Sequence, residues 1–309
     1  MNKIRKIELA VVAVVFVCFL AMWLNSRNAD KFYDMDWWYY AGNHGVWSGA
    51  NFGPPNGVIP GELGQGHDLA LIISRLLVQI GNFALPAFFI SFFCVAGYFM
   101  LKQLVRFPEA IFVVAPFSLV LLIMSGAYFL FAQMTSMSFF FIAIGFYLRD
   151  PTKRNKLATM ICLALMATSH FWSGIFYAGV FGLYLLIRNR KFIPYTLPAL
   201  AVLLVLMPSG AFNFLSNKTS VGSGLSYIVN TQLTENIVLV PFLIFGVWML
   251  RKHKIGLLFF MIIAFSLIPL IFLQSSYWGY RLISLMPLNI FEGIGLSGFL
   301  EWLARKARV

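Results

Sequence analysis

"ALPAFFISFFCVAGYFML" fills residues 84–101, and no side chain in it is charged. A helix needs about 20 mostly apolar residues to cross the hydrocarbon of a bilayer. The question is whether this run is one buried core helix or one span among many. The rest of the chain answers it. Similar runs stand near 7–24, 108–125, 127–148, 157–170, 172–188, 193–208, 236–250, 255–273 and 282–303. Those at 157–170 and 236–250 are short.

Composition points the same way. Of the 309 residues, 60% are hydrophobic and 11% charged, and mean hydropathy is +0.82. A soluble domain carries about 25% charged residues. Lipid must therefore face much of this chain. Within lipid, backbone groups are satisfied internally, so spans are helices or closed barrels. Barrel strands would appear as roughly 10-residue alternating segments, and none is found. The expected fold is all-α: a polytopic transmembrane bundle of about ten spans, forming a single domain over 1–309 with no separate soluble domain. Its long outer loops are 25–66 and 209–235. The first span follows Lys3, Arg5 and Lys6, but no small-residue cleavage site succeeds it. It reads as an anchor.

The net charge of +12 would suggest nucleic acid on a soluble protein. Its distribution indicates topology instead. With alternating spans, every Lys and Arg except Arg27, Lys31, Arg75, Lys218 and Arg281 falls on one side. The positive-inside rule makes that side cytoplasmic. Both termini are then cytoplasmic, and no nucleic-acid partner is implied. Short loops favour a bacterial inner membrane. Cys18, Cys94 and Cys162 lie inside spans with no metal-ligand or disulfide spacing.

Ionisable groups useful for chemistry gather on the other side. "KFYDMDWWYYAGNHG", residues 31–45, places Asp34 and Asp36 beside Trp37, Trp38, Tyr39 and Tyr40. An aromatic belt with solvated acids is one reading. The other is a carboxylate at a cavity mouth, taking a proton from a hydroxyl or holding a divalent cation. The Gly- and Pro-rich stretch that follows reads as irregular loop. "HDLALIISRLLVQIGN", 67–82, follows His67 with an amphipathic helix. Asp68, Arg75 and Gln79 share its polar face, and Leu69, Ile72, Ile73, Leu76, Leu77 and Ile80 the opposite one. "ATSHFWSGIF", 167–176, sets His170 between Ser169 and Ser173, either in a tight turn or at a cavity floor. "QSSYWGYRLISLMPL", 274–288, carries Tyr280 and Arg281. That guanidinium either clamps a phosphate or snorkels to lipid. Glu292 is expected near mid-membrane, bonded to Asn289 or to a neighbouring helix, although intramembrane acids are functional candidates too.

Four of these stretches resemble the GT-C superfamily of integral-membrane glycosyltransferases. "DMDWWYYAG" is similar to the acid of its first outer loop, and "HDLALIISRLLVQIGN" to the run that closes on Gly-Asn. "TSHFWSG" is similar to His-Pro-x-x-Gly-like turns, with Phe171 in place of the proline. "YRLISLMPLNIFEGIGL" resembles the late Arg-bearing span. The resemblance implies that the acid for catalysis or metal binding is Asp36, or Asp34 in the other register. It implies that Arg281 meets the lipid phosphate, and that His170 lines the substrate cavity. His67, Asp68, Tyr39 and Tyr280 complete the expected substrate-binding set. The implied reaction moves a sugar from a polyprenyl-phosphate donor to a glycan, lipid or protein acceptor on the non-cytoplasmic face. Arg281 would stabilise the leaving phosphate and Asp36 would deprotonate the acceptor. Single displacement with inversion is the simplest course. No cofactor is required, and a divalent cation stays an option. The competing classes are a transporter or flippase of a lipid-linked glycan, a polymerase of lipid-linked units, and a non-catalytic envelope-assembly protein.

Overall fold

The computed structural model describes residues 68–78, 84–116, 131–207, 237–272 and 287–306. Every regular element among them is helical. They are α1 (Asp68–Val78), α2 (Ala84–Leu101), α3 (Phe131–Tyr147), α4 (Lys153–Ser169), α5 (Phe171–Arg188), α6 (Leu197–Val205), α7 (Val240–Leu250), α8 (Gly256–Phe272) and α9 (Leu288–Lys306). A 3₁₀ turn at Pro108–Ala110 runs into a helical stretch at 111–116, and another 3₁₀ segment, Arg190–Thr196, leads into α6.

Local chemistry sets several boundaries. Thr152 caps α4, accepting a hydrogen bond from the Asn155 N–H at 3.2 Å. Pro198 and Pro241 stand in the first turns of α6 and α7, where a missing N–H costs nothing. Of the described helices, α5 is 18 residues long and apolar enough to cross a membrane, while α2, α3, α7 and α8 contribute shorter apolar stretches.

Helices α2 to α6 form the bundle's main body. α2 and α3 run side by side in one direction: Phe93 meets Phe141, and Phe99 meets Phe146. α4 returns antiparallel to α3, with Thr159 against Ala143 and Ser136 against Met166. α5 runs with α3, pairing Phe140 with Tyr177 and Tyr147 with Phe181. α6 returns along α5, where Leu203 fills the space beside Gly174. This alternation brings Lys102, Arg106, Arg149, Lys153, Arg154, Lys156, Arg188, Arg190 and Lys191 to one end. Two contacts tie that end together: Arg149 lies over Phe99 and Lys156 over Tyr195.

α9 joins this body through its first turns. Ile290 lies by Gly97, Gly293 by Leu101, and the Ser297 hydroxyl accepts from the Phe107 N–H at 3.1 Å. Phe291 meets Phe259 at the start of α8. α7 packs tightly along the rest of α9. A Cβ on Gly246 would run into the Phe291 carbonyl, and one on Gly295 into the Phe242 carbonyl. Phe242 also meets Phe299, so α7 and α9 run in opposite directions. Strict alternation of ten spans would have them run the same way, and this pair departs from it.

The described core is mainly hydrophobic, and hydroxyls are buried alongside it. Ser74, Thr135, Ser136, Ser138, Thr159, Ser169, Ser173 and Ser266 have no exposed surface, whereas Leu204 is 76% and Val205 82% exposed. Many of the hydroxyls bond back to a carbonyl one turn earlier in their own helix, as Ser74, Ser138 and Ser266 do. α1 forms where the amphipathic helix is expected, and part of its apolar stripe faces outward. Its inner face is Ala70 and Ser74, while Ile72 and Leu76 are 43% and 59% exposed. Small residues allow close helix contact where lipid, not water, is the alternative neighbour. The larger aliphatics then face outward.

Candidate functional site

The described polar groups concentrate at the end of the bundle opposite the basic one. His170 is the sole residue between α4 and α5, and it is 2% exposed. Its backbone is extended, which breaks the helix. Its Nδ1 accepts from the Ser173 N–H at 3.0 Å and lies 2.7 Å from the Ser173 hydroxyl oxygen. The imidazole thus caps α5, a task usually done by Ser, Thr, Asp or Asn. An accepting Nδ1 needs its lone pair, so a proton on a neutral ring belongs on Nε2. Ser169, just before it, donates to the Leu165 carbonyl at 2.6 Å.

α3 brings more polar groups to the same place. The Ser136 hydroxyl donates to the Met166 carbonyl at 3.1 Å, one turn ahead of His170. One turn inward, Phe140 and Tyr177 stack with centroids 4.5 Å apart. The two rings orient Ser136 and Ser173 toward a common interface, since residues four apart share a helix face. Gln133 and Thr135 are buried in the same first turns of α3. Reading 127–148 simply as a span misses this strip. Its signal is "QMTSMS", four polar residues in six positions of a run that is otherwise apolar. α1 packs on α2, α3 and α4 and ends six residues before α2 begins, so it sits over this end.

The structure brings His170 into this cluster. Asp68 is the first residue of α1. Asp34, Asp36, Tyr39, His67, Tyr280 and Arg281 lie outside the described residues, as do both expected long loops. Among the described residues no three His, Cys, Asp or Glu side chains gather as metal ligands. The buried cluster offers hydroxyls, an amide and an imidazole. The cluster contains no carboxylate base.

Glu292 is 3% exposed, and its expected mid-membrane position is corrected. Its Oε2 and the Asn289 Nδ2 are both buried without a hydrogen-bond partner, so these two atoms do not bond to each other. Nor does the residue stand at mid-bundle. Its neighbours Phe291 and Gly293 are level with the first turn of α8 and the last residue of α2. Lys102 and the Arg251–Lys254 turn adjoin those positions. Centring the apolar run 282–303 puts Glu292 in the middle, but α9 meets the bundle through its first turns. An orphaned buried carboxyl oxygen is costly, which marks this position as more than packing.

No family model, curated protein or solved structure matches this chain.

Proposed function

We propose that the chain is a polytopic membrane glycosyltransferase, with about ten spans and both termini in the cytoplasm of a bacterial inner membrane. It moves a sugar from a polyprenyl-phosphate donor to an acceptor on the outer face. The observation that carries this reading is the polarity of the bundle. His170 with the buried hydroxyls of Ser136, Ser169 and Ser173 occupies one end, the cations around α2 to α5 the other, and exposed aliphatic side chains such as Leu204 and Val205 the perimeter. A donor with a long prenyl tail needs such an arrangement: an apolar perimeter to approach through, and a polar end where its sugar is held. Cations at the far end orient that polar end outward. In this reading Asp36, with Asp34 as the alternative, activates the acceptor. Arg281 receives the phosphate, and His170 with Ser136 and Ser173 forms the floor beneath the sugar.

The transporter reading leans on Glu292, because carriers place polar sites at the membrane midplane. A position level with the basic turns gives that reading less support. The discriminating experiment supplies labelled polyprenyl-phosphate sugar to membranes holding wild type, Asp36→Asn or Arg281→Ala. Transfer to acceptor should fall at least about a hundredfold in each variant, in line with losing a general base or a transition-state donor. Turnover that is indifferent to both changes removes the reading. Movement of label across the membrane without bond formation favours the carrier.

A further inference from the structure

An apolar face follows the outer seam between α2 and α3. Phenylalanine rings line it: Phe92 meets Phe139 with centroids 5.1 Å apart, and Phe99 meets Phe146 at 4.8 Å. These rings are only half-buried, and Val95 between them is exposed. Gly145 lets Phe99 lie in the seam, because a Cβ there would collide with the ring. At the basic end the seam finishes on Arg149. Its guanidinium is 4.3 Å from the centroid of Phe99 and 5.4 Å from that of Phe146. Lys102, exposed, follows Phe99 by one turn. Among the described residues neither cation forms an ion pair; the ion pair present is Arg305 with Glu301.

We propose that this seam holds one anionic phospholipid, its phosphate on Arg149 and Lys102 and an acyl chain along the phenylalanine rings. The inference rests on the membrane reading above. Three features argue for a lipid. A guanidinium braced by aromatic faces keeps N–H groups at its edge for phosphate oxygens. No carboxylate among the described residues pairs with either cation. The apolar seam begins where the cations end, and that continuity of charge and grease matches a phospholipid. Free phosphate would use the cations and leave the seam idle.

The test uses the full chain in neutral detergent, with bound lipid counted by native mass spectrometry. Phosphatidylglycerol should be retained over phosphatidylcholine, and Arg149→Gln should reduce that preference about fivefold. Val95→Trp, which crowds the seam and leaves every charge in place, should weaken retention of both lipids. Inorganic phosphate at matched concentration should displace neither. Equal retention of the two lipids by wild type overturns the proposal. So does a preference that survives Arg149→Gln and Lys102→Gln together, or displacement by inorganic phosphate. The wild-type competition and Val95→Trp decide the matter even where a charge variant does not fold. Failure of the membrane reading is separately visible: the chain would leave membranes in an alkaline wash before any lipid is added.

Discussion

His170 ends one helix and opens the next, so its imidazole carries a measurable share of stability whatever else it does. Removing it in His170→Ala leaves the Ser173 N–H buried without an acceptor and costs about 1–2 kcal/mol, read as a fall in Tm in detergent. His170→Asn can restore the cap from its side-chain oxygen and should recover most of that loss. Transferase activity that stays low in the Asn variant while Tm recovers would separate a role toward substrate from capping. A Tm unmoved by His170→Ala would refute the cap itself. His253, in the turn between α7 and α8, lends itself to a pH experiment. Partial loss of water around its ring, then the adjacent Lys254 charge, lower its pKa from the usual 6.5. The unfolded chain therefore binds the proton more readily than the folded one. Stability is unaffected above about pH 6.5 and declines as pH falls below it toward the folded value. The residue is exposed, so the change is small. NMR of ring-labelled histidine should place its midpoint below 6.5, and Lys254→Ala should raise it. A midpoint at or above 6.5 contradicts this account.

Helix pairing depends on where glycine stands. Gly246 and Gly295 bring α7 and α9 into backbone contact, whereas a Cβ added at Gly179 or Gly182 on α5 would meet nothing within 4 Å. Gly295→Leu must push the two helices apart, and overpacking of this kind costs about 1–3 kcal/mol or more. Gly179→Ala should be neutral or stabilise by up to about 1 kcal/mol, since alanine is the better helix former. Thermal unfolding of the two variants side by side checks this, and comparable losses in both would refute the close crossing. Helices of this kind are legible in the sequence, because uncharged runs such as 84–101 leave few alternatives. Their faces are less so. In α1 the sequence shows an apolar stripe without saying what it meets, and the structure buries Ala70 and Ser74 and turns Ile72 and Leu76 out. Hydropathy marks what avoids water, and in lipid it does not separate a helix contact from a lipid contact. Side-chain size does. His170 is legible because a lone imidazole between two short runs stands out, whereas the α3 hydroxyls are averaged away inside a hydrophobic window.

The bundle formed by α2 to α6 has two unlike ends, and on the membrane reading proposed above its orientation follows from them. Four segments deliver basic residues to one end: the turns after α2, α3 and α5, and the start of α4. Some of these cations rest on aromatic rings, as Arg149 does on Phe99 and Lys156 on Tyr195. Aromatic side chains favour the headgroup region, where an apolar body meets a wet edge. Moving such an end across the bilayer would take many charges through hydrocarbon at about 2.5–3.5 kcal/mol each on insertion scales. The orientation should therefore be single and fixed, with the basic end in the cytoplasm. Cysteines placed at Arg154 and Arg190 should react with an impermeant maleimide in inverted vesicles and be protected in right-side-out ones. A cysteine at Lys218, expected in the second outer loop, should behave in the opposite way. Labelling of Arg190→Cys from the outer face would invert the bundle. It would also place the His170 cluster on the cytoplasmic side, where a donor presented in the outer leaflet could not reach it.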